Sequence, residues 1–213
     1  MRGRDLLDAV LPTVCVSCGA LAGEGPIPHL CASCAEALPR SAWPLATRIP
    51  CLKSAWCLLP YEGLGGQLVR RGKYGGREVL LAELAEYTAR AAAPVLPLVG
   101  AVVAVPSPPA RVAARGFSAP HLLAGAVARR LGVPHVRALH RHRGPRQAGL
   151  ARRARGANVA GAFTLSGPFV DEPVLLLVDD VVTTGATASA CAQVLLVGGA
   201  RAVHLLAFAA ALP

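Results

Sequence analysis

The sequence predicts an α/β protein: a parallel sheet flanked by helices, with a small metal-binding module at its N-terminal end. Three observations predict it. Continuous apolar runs bounded by turn residues, such as 100–105 and 174–178, alternate with segments of helical periodicity; strands apolar on both faces belong to parallel sheets covered on both sides. Of 213 residues, 54% are apolar and 16% charged, which excludes a disordered chain and provides for a sizeable core. Four of the seven cysteines stand as two Cys-x2-Cys pairs separated by twelve residues near the start of the chain.

Taken in order, residues 2–11 predict a short amphipathic helix stopped by Pro12. Cys15, Cys18, Cys31 and Cys34 follow. Two pairs of thiolates on two tight turns suit tetrahedral Zn²⁺, with Zn–S distances of about 2.3 Å, and four sulfurs leave no open position for chemistry. The expectation is structural zinc; two redox pairs or four buried thiols are the alternatives. Gly19 permits the positive φ such a turn needs. His29 is a spare ligand type nearby and reads as a loop residue. A proline-containing linker runs to Pro50, giving an expected division into residues 1–50 and 51–213. Cys51 and Cys57 read as small core hydrophobes, with a partial second metal site as the alternative, and Cys191 reads as core.

Residues 55–61 predict a strand and 64–71 a short helix, which Gly72-Lys73-Tyr74-Gly75-Gly76 should break. A helix is predicted over 77–93, an apolar strand over 100–105, a loop over 111–117 and a helix over 119–131. Residues 133–139 can hold a short strand, and 140–158 read as a polar, arginine-rich loop. Strands at 161–166, 174–179 and 201–209 enclose a helix over 187–197.

The formal net charge is +10, and it is concentrated. Residues 87–170 contain twelve Arg and no acid, leaving −2 for the remainder. That raises the expectation of a polyanionic partner: nucleic acid, anionic membrane or a phosphorylated small molecule. Arginine outnumbers lysine twenty to two. The preference suits bidentate phosphate contacts, although GC-rich codon usage would produce it too. Residues 91–110 carry no charge, yet Pro94, Pro97, Pro106, Pro108 and Pro109 forbid a spanning helix, so no membrane insertion is expected. No signal-peptide core precedes the cysteines, and a cytoplasmic location is expected.

The most informative stretch is 174–187, Val-Leu-Leu-Leu-Val-Asp-Asp-Val-Val-Thr-Thr-Gly-Ala-Thr. A buried strand delivers Asp179 and Asp180 at its tip, and a loop of hydroxyl residues and Gly185 leads into a helix. Converging backbone N–H groups at such a loop form a nest for a phosphate monoester, and paired carboxylates accept hydrogen bonds from vicinal hydroxyls. The spacing suits a ribose 5-phosphate. An ordinary helix start capped by Thr183 or Thr184 is the alternative. Two acids at a strand tip are costly unless something binds them.

Residues 175–187 resemble the signature of the type I phosphoribosyltransferases: four apolar residues, two acids and a T-T-G-x-T loop, the binding motif for 5-phosphoribosyl-1-pyrophosphate (PRPP). The chain resembles in particular the ComF, or GntX-like, family. The cysteine pairs, Val105-Pro106-Ser107, Arg115-Gly116-Phe117, then Gln147, Leu150, Arg153 and Asn158 before Gly161-Ala162-Phe163, and the PRPP signature occur in that family's order. The family's R-G-F-N-Q appears here with Ser118-Ala119 at its end, and its second cysteine set shrinks to Cys51 and Cys57.

This resemblance implies a type I phosphoribosyltransferase-like core with an N-terminal zinc ribbon. It implies that Asp179 and Asp180 hold the ribose hydroxyls and that Thr183, Thr184, Gly185, Ala186 and Thr187 cradle the 5-phosphate. Val105, Pro106 and Ser107 would form the pyrophosphate loop, with Lys73, Arg111 and Arg115 neutralising pyrophosphate and Mg²⁺ accompanying PRPP. Asp179, Asp180, Arg115 and Lys73 are the candidate catalytic residues. The stretch 137–155 falls where such enzymes close a mobile loop over substrate. The implied activity is pentosyl transfer from PRPP, linked to DNA uptake in natural transformation, with a competence helicase as partner. The rival is a non-catalytic protein that handles single-stranded DNA on the same fold, although 137–155 contains no aromatic residue for base stacking.

Overall fold

The computed structural model describes residues 14–22, 27–74, 78–142, 161–167 and 173–211. The expected helix over 2–11 and most of the arginine-rich loop, with Gln147, Leu150, Arg153 and Asn158, lie outside them. The elements run α1 (Ala32–Glu36), β1 (Trp43–Pro44), β2 (Ser54–Pro60), a kinked turn (Tyr61–Gly65), α2 (Gly66–Tyr74), α3 (Glu78–Ala92) and β3 (Ala101–Ala104). Then come α4 (Pro109–Arg115), α5 (Ala119–Leu131), β4 (Leu139–Arg141), β5 (Phe163–Leu165), β6 (Val174–Val182), α6 (Ala186–Val197) and β7 (Ala202–Ala210).

The main sheet has the order β1-β2-β7-β6-β3, parallel except for β1. Side chains alternate along β6: Leu175 and Leu177 enter one core, Leu176 and Val178 the other. The first core lies under α6 and the β4–β5 hairpin; the second lies under α2, α3 and α5 and includes the cysteine module. Burial on both faces is what a near-continuous apolar strand requires, and β6 meets it with four consecutive side chains at 0% exposure, Leu175 to Val178.

Three elements differ from the expectations. Residues 72–76 do not break the chain at Gly72; α2 continues through Lys73 to Tyr74. A Cβ on Gly72 would stand 2.6 Å from Leu81 Cδ2, so this glycine is there for close helix packing rather than as a stop. Residues 109–115 are helical instead of a loop, started by proline at the first turn and ended by Gly116 at φ 82°. The strand expected over 133–139 shrinks to a bridge between His135 and Val102, and the strand proper is β4, paired antiparallel with β5.

The cysteines also divide. Cys57 is buried on β2, and burial pushes its thiol up to about 12. Cys51 is exposed in a turn at φ 64°, so it is not a core residue. It reverses the chain before β2. Cys191 is fully buried on α6, as expected.

Candidate active site

Cys15, Cys18, Cys31 and Cys34 come together with all four sulfurs within 4.8 Å of one another. Two backbone turns build the site. The Gly19 N–H donates to Cys15 O at 2.9 Å, made possible by φ 80° at Gly19, and Cys31 stands at the N-cap of α1. Zn–S bonds of about 2.3 Å in a tetrahedron place sulfurs about 3.8 Å apart; Cys18 and Cys31 Sγ are 3.6 Å apart.

The charges fit a dication as well. Burial opposes ionisation of Cys15, but the N–H groups of Cys18, Cys31 and Ser17 outweigh it and bring the thiol down to about 6. At Cys34 a Ser17 hydrogen bond favours the thiolate, yet burial and the other three sulfurs push it to about 12. Four sulfurs this close cannot all ionise without a positive charge among them, and the cluster could hold a structural zinc ion. His29 takes no part: its Nδ1 is 2.8 Å from Glu83 Oε2 on α3.

The module is tied to α2. Ser17 Oγ donates to Gln67 Oε1 at 3.2 Å, Gln67 Nε2 donates to Ser17 O at 3.0 Å, and Arg71 donates to Val16 O. The same helix contributes Arg70, Lys73 and Tyr74 to a cavity of about 460 Å³.

This cavity lies outside the carboxyl ends of β3 and β6, where α/β sheets bind ligands. It brings together much of what the sequence singled out. Asp179, Asp180, Thr183 and Thr187 line one side; Val105, Pro106, Ser107, Arg111 and Arg115 line another. Thr184, Gly185 and Ala186 lie beside it and shape a smaller hollow of about 40 Å³ with Asp179 and Thr187.

Strand alternation sends the two carboxylates different ways. Asp179, 8% exposed, faces α6, close enough to raise the Cys191 thiol once burial has done so first. Asp180 turns toward α2, where its Oδ2 is 2.6 Å from Lys73 Nζ. An acid at this strand tip therefore has a partner within the chain. Asp180 also donates its backbone N–H to Asp179 Oδ1 at 2.8 Å. Burial, then the Asp180 charge, raise the Asp179 carboxyl well above the usual aspartate range, against the lesser pull of that N–H and of Lys73.

A testable consequence follows from the sign. Above its raised folded-state pKa, the Asp179 charge costs stability. As pH falls from there toward the unfolded value of about 3.9, the folded form takes up the proton first and the cost disappears. Asp179→Asn, which keeps the Oδ1 acceptor, is expected to raise the melting temperature near neutral pH, with the gain shrinking as pH falls through that window. Melting curves of both proteins across the range check this, and parallel curves would contradict it.

The helix start is unlike the ordinary capped one. The N-cap of α6 is Gly185 at φ 74°, which supplies no side-chain oxygen, and the Thr184 hydroxyl accepts only a long 3.4 Å bond from Ala186 N–H. A Cβ at Gly185 would stand 2.9 Å from Ile49 Cγ1, so the loop is held from behind by a residue of the proline-containing segment. Opposite, Ser107 Oγ and Ser118 Oγ lie 3.0 Å apart, fastening the 105–107 loop to the first turn of α5. Ser118 is a departure from the resembled motif, and here it supplies a tether.

Sequence reasoning missed Tyr61, Arg70 and Tyr74, which line the cavity, and singled out Arg141 only as part of the 137–155 stretch. Arg115 lies over the Tyr74 ring at 4.7 Å, Arg70 over Tyr61 at 5.8 Å and Arg141 over Phe163 at 5.2 Å. The lining carries five basic side chains, Arg70, Lys73, Arg111, Arg115 and Arg141, against the two aspartates. Lys73, Arg111 and Arg115 were expected there from the resemblance; Arg141 carried only the signal of the arginine-rich stretch, and Arg70, outside the 87–170 segment, carried none. Among the described residues no helix is long and apolar enough to cross a membrane.

No family model and no curated protein matches the chain. Solved structures do. One described as the allosteric regulatory enzyme of purine biosynthesis is 19% identical over 60% of this chain and 24% of its own, at a TM-score of 0.39. Another, glutamine PRPP amidotransferase from B. subtilis complexed with ADP and GMP, is 19% identical over 60% of this chain and 25% of its own, at 0.40. The chain thus spans about a quarter of the length of either.

Proposed function

We propose that this is a PRPP-binding protein of the phosphoribosyltransferase kind, of the ComF type, working in the cytoplasm. The observation that carries the reading is one cationic cavity lined together by the strand-tip acids Asp179 and Asp180, the 183–187 loop and the 105–107 loop. Asp179 and Asp180 accept hydrogen bonds from the ribose hydroxyls; Thr183, Thr184, Gly185, Ala186 and Thr187 hold the 5-phosphate at the uncapped start of α6. Val105, Pro106 and Ser107 take the pyrophosphate, with Arg111, Arg115 and Lys73 beside them. Transfer would form a bond from an acceptor lone pair to ribose C1 as the C1–O bond breaks, the electron pair leaving with pyrophosphate. Mg²⁺, bound with PRPP, would supply charge neutralisation on that leaving group. The zinc module, within residues 1–50, serves as a structural element of the 51–213 domain.

Calorimetry tests this. Mg-PRPP is expected to bind the wild type, and Asp180→Asn to weaken it by about tenfold or more, the loss of a hydrogen bond to a charged group. Inorganic pyrophosphate separates the causes: the same substitution frees Lys73 and should not weaken its binding. A wild type blind to Mg-PRPP sinks the reading. The competence role with single-stranded DNA and a helicase is the second reading, favoured by Tyr61 and Tyr74 as stacking faces among arginines. A steep salt dependence for oligonucleotide binding with no PRPP signal would select it.

A further inference from the structure

The phosphoribosyl reading accounts for only part of the cavity. The 183–187 loop serves the 5-phosphate, and Arg111 and Arg115 stand on α4, directly after the 105–107 loop, so they serve the pyrophosphate end. Lys73 is matched by Asp180. Arg70 on α2 and Arg141 on β4 come from other walls and have no carboxylate partner among the described residues. Each instead lies against an aromatic ring, Arg70 over Tyr61 and Arg141 over Phe163. Tyr61 and Tyr74 line the cavity as well, and guanidinium-on-ring stacks present flat cationic surfaces.

We propose that the second ligand of this cavity, the acceptor, is a small aromatic anion: a single nitrogen-containing ring with a carboxylate, its ring against the Tyr61–Tyr74 wall and its charge met by Arg70 and Arg141. A neutral amine or ammonia would leave the Arg70 and Arg141 guanidiniums with no anion to meet, whereas Tyr74 already underlies Arg115. A nucleic-acid polymer makes poor use of a cavity of about 460 Å³ that must also take the sugar phosphate. The proposal rests on the phosphoribosyl reading for the assignment of Arg111, Arg115 and the threonine loop.

The test uses the full chain and two probes of nearly the same shape, one anionic and one neutral, pyridine-3-carboxylate and pyridine-3-carboxamide, titrated with and without saturating Mg-PRPP. The carboxylate is expected to bind at least about tenfold more tightly than the carboxamide, each such factor being about 1.4 kcal/mol. Arg70→Gln should bring the carboxylate to the carboxamide level while leaving Mg-PRPP affinity within about twofold, and Tyr61→Leu should weaken both probes alike. Equal binding of the two probes, or of benzoate and benzamide in the same comparison, overturns the proposal, as does Arg70→Gln weakening Mg-PRPP itself. Displacement of the carboxylate by an oligonucleotide that binds more tightly, with no effect of Mg-PRPP, would assign this wall of the cavity to nucleic acid instead. A carboxylate preference that survives without any Mg-PRPP binding overturns the phosphoribosyl reading and leaves the aromatic-anion site standing.

Discussion

Gly185→Ala is expected to cost about 2–6 kcal/mol of stability and to abolish binding of a phosphorylated sugar. Two terms add. A non-glycine residue held in the left-handed region costs about 1–3 kcal/mol, and φ here is 74°. The new Cβ would also stand 2.9–3.0 Å from three carbons of Ile49, and overpacking of a buried contact adds about 1–3 kcal/mol more. The loop would yield before the sheet does, since strand β6 behind it is paired on both sides. Denaturant melts and Mg-PRPP calorimetry read both effects. The double variant Ile49→Ala, Gly185→Ala removes the contact but not the φ requirement. Recovery of about half the stability without recovery of binding would show that the loop's shape, not its packing, matters to the ligand; full recovery of binding would refute the nest.

Cys31→Ser is expected to bring bound zinc from about one ion per chain to well below half, and to lower the melting temperature by many degrees. Structural zinc in small modules carries an apparent folding free energy of about 10–16 kcal/mol. The described part of this module buries few large side chains, chiefly Ile27 and Leu30. Elemental analysis with circular dichroism checks it, and a wild type that folds fully with no zinc contradicts it. Cys51→Ser, at an exposed cysteine outside the cluster, is the control and should leave zinc content unchanged.

Parts of this structure could be read from the chain because they depend on neighbours in sequence. Leu175 to Val178 is apolar at every position, and only a strand covered on both faces uses such a run; the four cysteines needed only their spacing. The threonine loop likewise is one contiguous segment. What could not be read depends on remote contacts. Gly72 looked like a break because nothing nearby announces Leu81 against its Cα. The α4 helix, seven residues between proline and glycine, is too short to show periodicity. Ile49 sat in a segment assigned to a linker, with no local sign that it backs Gly185. Asp180 was expected to stand with Asp179, but the pleat turned it to Lys73 on a helix whose end had been misplaced. Tyr74 went unassigned for the same reason, whereas Arg70 and Tyr61 fell within expected elements and nothing local showed that they line the same cavity.

That helix has a thermodynamic implication. Through Gln67 and Arg71 it grips the loop carrying Cys15 and Cys18, and two residues past Arg71 it holds Asp180 through Lys73. Two ligands that each favour one placement of a shared rigid element must favour each other, and by the same factor in both directions. A chelator titration of the metal, run with and without the sugar phosphate, would measure that factor from the zinc side. Gln67→Ala, touching neither ligand, should pull it toward one; an unchanged factor would mean that the helix transmits nothing.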